Sequence, residues 1–343
     1  MAPAKKKPTS SITRPRSTRK KQPTENEAPH DQSSETRNGF CVGIGASAGG
    51  LEALEQFFKN MPPNSGLSFV VVQHLSPDYK SLMVELLSKH TPMKVFRAED
   101  GMQILPDSVY LIPPKKNMTI FHGKLFLTEQ DYHHVINLPI DIFFRSLAED
   151  YADRAIGIIL SGTGSDGTLG IRAIKGGGGM IMAQDDNSAK FDGMPRSAIA
   201  TGLVDYILPA DKMPQELLKY VKHPLTSKDE DAHDYTTHEN ALAKILSIIR
   251  NRVGVDFTYY KTNTIIRRLE RRISINQIES FEAYIGFLEQ SPTEVNILYK
   301  ELLIGVTKFF RDSESFEIIM EQVIPNLFKN KNKDEPVRLW SVG

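Results

Sequence analysis

Cysteine is nearly absent: Cys41 is the one example in 343 residues. That excludes an intramolecular disulfide framework and any cysteine-rich zinc module, and no metal site is expected. Long apolar runs are missing as well. None reaches the roughly 18 residues that a membrane-spanning helix requires, so membrane insertion is not expected. Net charge is also missing, because 42 Lys+Arg balance 42 Asp+Glu, and that balance offers no electrostatic case for nucleic-acid binding. What is present is an ordinary globular composition, 40% hydrophobic and 24% charged. The length suits two domains of roughly 100–200 residues each. A soluble, cytoplasmic, two-part protein is the expectation.

Residues 1–38 hold no large apolar side chain except Met1 and Ile12, too little to offset the entropy of ordering. They read as a basic, disordered tail without the apolar region of a secretory signal, the alternative being a contact with an acidic partner or membrane surface. From Phe40 the texture changes. FCVGIG, LSFVVVQHL, AIGIILSG, GMIMAQ and LVDYIL are short, β-branched runs of the kind that fill a parallel sheet covered on both faces. Helical patterns at 51–61, 81–90, 139–152 and 166–177 alternate with them. The expected fold over 39–221 is therefore a doubly wound, mostly parallel α/β domain. VYLIPP, MTIF and KLFLT at 109–127 read as a small antiparallel insertion. The polar segment 222–237 reads as a linker, 238–330 as a small all-α domain, and 331–343 as the first strand of a further core where the sequence stops mid-fold.

Gly43-Ile44-Gly45-Ala46-Ser47-Ala48-Gly49-Gly50 is the richest local signal. Gly43-x-Gly45-x-x-Ala48 fits a dinucleotide fingerprint, but the next strand ends in Gln73-His74-Leu75 with no carboxylate for a ribose. In the other reading Ser47 sits on a strand-to-helix turn beside free helix-start amides. His74 ends the neighbouring strand, either as its base or as a satisfied structural histidine. Asp166, after AIGIILSGTGS, either caps the helix that follows or orients His74. Ser, His and Asp at three strand ends form a triad hypothesis for a hydrolase.

GIGASAGGLEAL, VVVQHLSPDYKSLMVELL, VYLIPPKKNM and LSGTGSDGTLG together resemble the CheB protein-glutamate methylesterase catalytic domain over about 39–220. The resemblance implies hydrolysis of glutamyl γ-methyl esters on chemotaxis-type receptors, with glutamine deamidation as a second activity and no cofactor. It implies Ser47 as nucleophile, His74 as base and Asp166 as its partner, with oxyanion amides near Ala48 and Thr163. Ala48 stands where many members have threonine, and Thr163 where many have methionine. Only the tail precedes Phe40, without a receiver-sized segment, so phosphorylation gating within the chain is not expected. A non-catalytic scaffold binding a receptor or histidine kinase is the alternative.

Segments 259–275 and 302–312 resemble the N-terminal domain of CheR, the methyltransferase that uses S-adenosylmethionine. Arg268, Arg271 and Arg272 share a helix face. That face is either a solvated stripe, the favoured reading, or a receptor-binding surface carried by Arg271 and Arg272. The resemblance implies cofactor contacts at Arg268, Thr307 and Arg311 in a full-length methyltransferase, though Gly305 replaces the usual asparagine. Methyl transfer by this chain alone is not expected.

Overall fold

The structure, a computed structural model, describes residues 39–73, 82–130, 137–226, 239–304 and 318–328. The tail, His74, Thr307, Arg311 and the expected final strand lie outside the described residues. In chain order the first domain runs β1 (Cys41–Ala46), α1 (Gly50–Lys59), β2 (Ser68–Gln73), α2 (Met83–Leu87), β3 (Lys94–Arg97), β4 (Met102–Gln103), β5 (Ser108–Leu111), β6 (Lys116–Phe121) and β7 (Lys124–Glu129). It continues through α3 (Pro139–Tyr151), β8 (Ala155–Ile159), α4 (Thr168–Gly176), β9 (Met180–Gln184), α5 (Gly193–Ala200), β10 (Tyr206–Leu208) and α6 (Met213–Val221).

Seven strands form one sheet in the order β10-β9-β8-β1-β2-β5-β3, and every registered pair is parallel. The expected doubly wound α/β fold is what the chain adopts. One expectation needs correcting. The VYL run belongs to β5, inside the parallel sheet between β2 and β3 rather than in an antiparallel insertion. Its four residues are all buried, as a central strand covered on both faces must be. Only β4, β7 and β6 form the small antiparallel sheet.

Each face of the sheet has its own core. Val42 and Ile44 pack with Leu54, Phe57 and Phe58 of α1 and Leu217 of α6. On the other face Val70 and Val72 meet Phe143, Phe144 and Leu147 of α3 and Ile171 of α4. Each such fully buried side chain contributes about 1.5–3 kcal/mol. The glycines of β1 serve this packing. A Cβ on Gly43 would sit 2.9 Å from Leu147 and Phe144, and one on Gly45 would sit 2.6 Å from Ile140. They admit α3 to the sheet, which accounts for the dinucleotide-like spacing without a phosphate. Burial also pushes the Cys41 thiol upward, with the charge of Asp150 adding to it, so this cysteine is inert.

The second domain contains α7 (Glu239–Val253), α8 (Thr262–Ile275), α9 (Phe281–Gln290) and α10 (Pro292–Leu302) around Ile245, Ile249, Leu269, Tyr284 and Leu298. Ser280 and Ser291 cap α9 and α10 by accepting from Ala283 N and Glu294 N. Hydrogen bonds tie this domain to the first. His223 Nε2 lies 2.9 Å from the Ile278 carbonyl, its Nδ1 lies 2.9 Å from Ser274 Oγ, and the Tyr206 hydroxyl donates to Ile275 O.

The arginine stripe of α8 is a second correction. Arg271 and Arg272 are buried, not solvated. Arg271 pairs with Asp205, donates to Gly179 O at 3.0 Å and pairs with Glu301. Arg272 makes a two-pronged bond to Glu294 at 2.8 and 2.6 Å. Lys175 joins from α4, 2.7 Å from Asp205 and 3.4 Å from Glu301. Gly179 and Asp205 immediately precede β9 and β10, so α8 docks at the amino edge of the sheet. With their donors engaged there, Arg271 and Arg272 do not offer the receptor-binding surface considered from the sequence.

Candidate active site at the carboxyl edge

β1 is flanked by β2 on one side and β8 on the other. The chain first lays β2, β3 and β5 on one side of β1, and then β8, β9 and β10 on the other. The crevice at the carboxyl ends of those two strands is the switch point where open α/β sheets bind ligands. Ser47 is the first residue after β1, and 160–166 follow β8 at the same edge. Gln73, which His74 follows in sequence, is the register partner of Ala46.

The turn carrying Ser47 is held by main-chain bonds. Its amide donates to Ser161 O at 3.0 Å, and its carbonyl accepts from Gly50 N at 2.9 Å. Gly49, at φ +70, opens α1 without a side-chain cap. Gly162 lets the end of β8 approach, because a Cβ there would lie 2.9 Å from Ser47 Cβ and 2.3 Å from Met194 Sδ. Among the described residues Ser47 Oγ has no hydrogen-bond partner, and the amides of Ala48 and Thr163 have no acceptor.

Asp166 is 5% exposed and does not cap the helix that follows it, whose N-cap is Gly167. Its carboxylate instead accepts from Ile140 N and Asp141 N, both at 3.0 Å. Pro139, first in α3, has no N–H to satisfy, so these two amides are the next needing acceptors, and the positive end of the helix dipole faces the carboxylate. The arrangement is reciprocal. Asp141 Oδ1 accepts from Gly170 N at 2.6 Å in the first turn of α4. Burial raises the Asp141 carboxyl, the Gly170 bond opposes this, and the charge of Asp166 adds to the rise.

Ser47, Ala48, Thr163 and Asp166 therefore share one edge. Arg268 does not: it lies on α8 and donates to the carbonyls of Glu301 and Ile304, closing the end of α10. Among the described residues no group of His, Cys, Asp or Glu could hold a metal, and no helix is long and apolar enough to cross a membrane. A shallow cavity of about 290 Å³ lies beside the Ser47 turn, lined by Gly49, Glu52, Gln56, Ser161, Gln184 and Lys190 among others. The larger cavity, about 650 Å³, sits between the domains near Tyr220, Tyr260 and Arg268. Of the strand-end residues, Ser161 and Gln184 line the smaller cavity, while Ser47, Ala48, Thr163 and Asp166 line neither.

Three contributors escaped sequence reasoning: Asp141, Ser161 and Gln184. Gln184 did leave a signal, being the one polar residue of the MIMAQ strand and yet 1% exposed.

The family model described as CheB methylesterase matches residues 42–217, and that described as CheR methyltransferase, all-alpha domain, matches 240–303. An uncharacterized 104.1 kDa protein of Rhodobacter capsulatus is 38% identical over 282 residues, 76% of this chain and 30% of that protein. The protein-glutamate methylesterase/protein-glutamine glutaminase of Thermotoga maritima is 35% identical over 188 residues, 54% of this chain and 55% of that protein. The crystal structure of the Thermotoga maritima CheB methylesterase catalytic domain is 35% identical, covering 52% of this chain and 97% of that one, with a TM-score of 0.49. The chain thus spans under a third of the first relative and just over half of the second.

Proposed function

This chain belongs to the CheB methylesterase family, and from that premise we propose that its α/β domain hydrolyses glutamyl γ-methyl esters on a cytoplasmic chemoreceptor or similar signalling protein. Ser47, His74 and Asp166 carry the reaction. The observation that supports this most strongly is the polar group set at the switch point that has no partner among the described residues: the Ser47 hydroxyl, with the Ala48 and Thr163 amides.

His74 takes the proton of Ser47 Oγ as the oxygen attacks the ester carbonyl. Asp166, oriented by the two α3 amides, holds the imidazole in the required tautomer. The amides of Ala48 and Thr163 donate to the oxyanion as it forms, in a site organised before the reaction. His74 returns the proton to the methoxy oxygen, the C–O bond breaks and methanol leaves. Water, deprotonated by His74, then cleaves the glutamyl-Ser47 ester and restores the hydroxyl. A glutamine side chain would follow the same course with ammonia leaving. No residue of the helical domain enters these steps.

Methanol release from a methylated receptor fragment tests the reading. Ser47→Ala is expected to lower turnover by about 10³- to 10⁶-fold, the scale of triad deletions, with unchanged thermal unfolding. Near-native turnover in the variant would sink the assignment. A well-folded wild type that binds the fragment but releases no methanol would favour a scaffold instead.

A further inference from the structure

Ser161 is buried to 1% exposure at the end of β8, between the apolar Leu160 and Gly162. A hydroxyl so placed is costly unless its hydrogen bonds are made, and an apolar side chain would close the strand more cheaply. All three polar groups of Ser161 are engaged, in four hydrogen bonds to four different residues. Its amide donates to Gln184 Oε1 at 2.9 Å. Its carbonyl accepts from Ser47 N at 3.0 Å. Its hydroxyl donates to Ala48 O at 2.8 Å and accepts from Phe191 N at 3.0 Å. The Phe191 carbonyl lies farther from the hydroxyl, at 3.3 Å, so the shorter donation runs to Ala48.

These partners bracket the nucleophile. The peptide before Ser47 is pinned through its N–H by the Ser161 carbonyl. The peptide after Ala48 is pinned through its C=O by the Ser161 hydroxyl. Between them lies the peptide that carries the Ser47 carbonyl and the unspent Ala48 amide. Ser161 thus holds the peptides on both sides of it, while Gly50 N holds its carbonyl at 2.9 Å. Gln184 completes the support: it ends β9, is itself 1% exposed, and donates through Nε2 to Ser188 O at 3.0 Å.

Resting on the esterase reading, we infer that Ser161, backed by Gln184, is a positioning residue that aims the Ser47 hydroxyl and the Ala48 amide at the ester carbonyl. It does not touch substrate. It acts on geometry, where a displacement of about 1 Å can cost about 100-fold in rate.

The test compares wild type with Ser161→Ala, Ser161→Cys and Ser161→Thr in the full chain. Two readouts are used: methanol release, and the rate at which a fluorophosphonate probe labels Ser47. The probe reports serine reactivity without needing receptor docking. Ser161→Ala is expected to lower kcat by about 10- to 100-fold with KM within about twofold, and to slow labelling in parallel. Ser161→Cys, which fills the same space but bonds weakly, reproduces that loss in a protein that folds. Ser161→Thr, which keeps the hydroxyl, restores kcat to within about fivefold. If Ala and Cys lower only the melting temperature while labelling per folded molecule stays at the wild-type rate, Ser161 is structural and the inference is wrong. If wild type does not label at Ser47, the esterase reading fails and the inference falls with it.

Discussion

At the carboxyl edge of the parallel sheet, Ser47 Oγ and the amides of Ala48 and Thr163 are left without partners among the described residues. At the amino edge, Lys175, Asp205, Arg271 and Glu301 are buried and tied to one another. One sheet thus treats its polar groups in two ways. Unspent donors are tolerable where solvent or a substrate oxygen can reach them, and under the proposed esterase reading they would hold the oxyanion. Charges removed from water must be paired, and their pairing specifies which surfaces meet. Burial works to raise the Asp205 carboxyl, but the Arg271 guanidinium and the Lys175 ammonium beside it hold it below the usual carboxylate range. The amino edge therefore joins two domains, while the carboxyl edge carries the candidate catalytic residues.

The largest expected effect falls on the residue that belongs to both regimes. Asp166 is buried and satisfied, yet stands at the open edge. Asp166→Asn is expected to reduce methanol release by about 10³- to 10⁴-fold, as when a triad carboxylate is replaced. Turnover that changed less than about tenfold would reduce Asp166 to a cap for α3 alone.

An intermediate effect is expected at the amino edge, on stability instead of rate. Arg271→Met leaves Asp205 and Glu301 with Lys175 and the more distant Arg272 as their cations in a buried setting. Urea denaturation should show a loss of about 3–5 kcal/mol, while methanol release stays within about twofold because among the described residues the two edges share no bonded partner. A rate loss without a stability loss would erase the division between the edges.

The smallest effect is a pH dependence at the domain junction. Burial lowers the His223 pKa from 6.5, against the Ile278 carbonyl bond that favours the charged form. The unfolded chain therefore binds a proton there before the folded one does. Stability from this group is complete above pH 6.5 and declines as pH falls from that value toward the lowered folded pKa. His223→Gln should flatten that slope in denaturation curves measured across the window. An unchanged slope would show that other groups dominate it.

The legible parts of this protein were the local ones. β1, β2, β8 and β9 announced themselves as apolar β-branched runs, and Ser47 and Asp166 as polar residues in glycine-rich turns after such runs. VYL could not be placed from its own residues, since an apolar run fits an insertion as well as a central strand until its neighbours are known. The arginines of α8 read as a solvated stripe because spacing reports which residues share a face, not what that face meets. Asp205, 66 residues before Arg271, turned the stripe into an interface.

The amino-acid order by itself determined the alternation of strand and helix, the glycines that admit α3 and the candidate residues at the strand ends. These follow from side-chain volume, backbone freedom and hydrophobic period, which act between near neighbours. Tertiary structure alone decided which helix Asp166 caps, which hydroxyl brackets Ser47 and which edge the helical domain covers. Those are choices among distant partners, set by which polar groups lose water together when the chain packs.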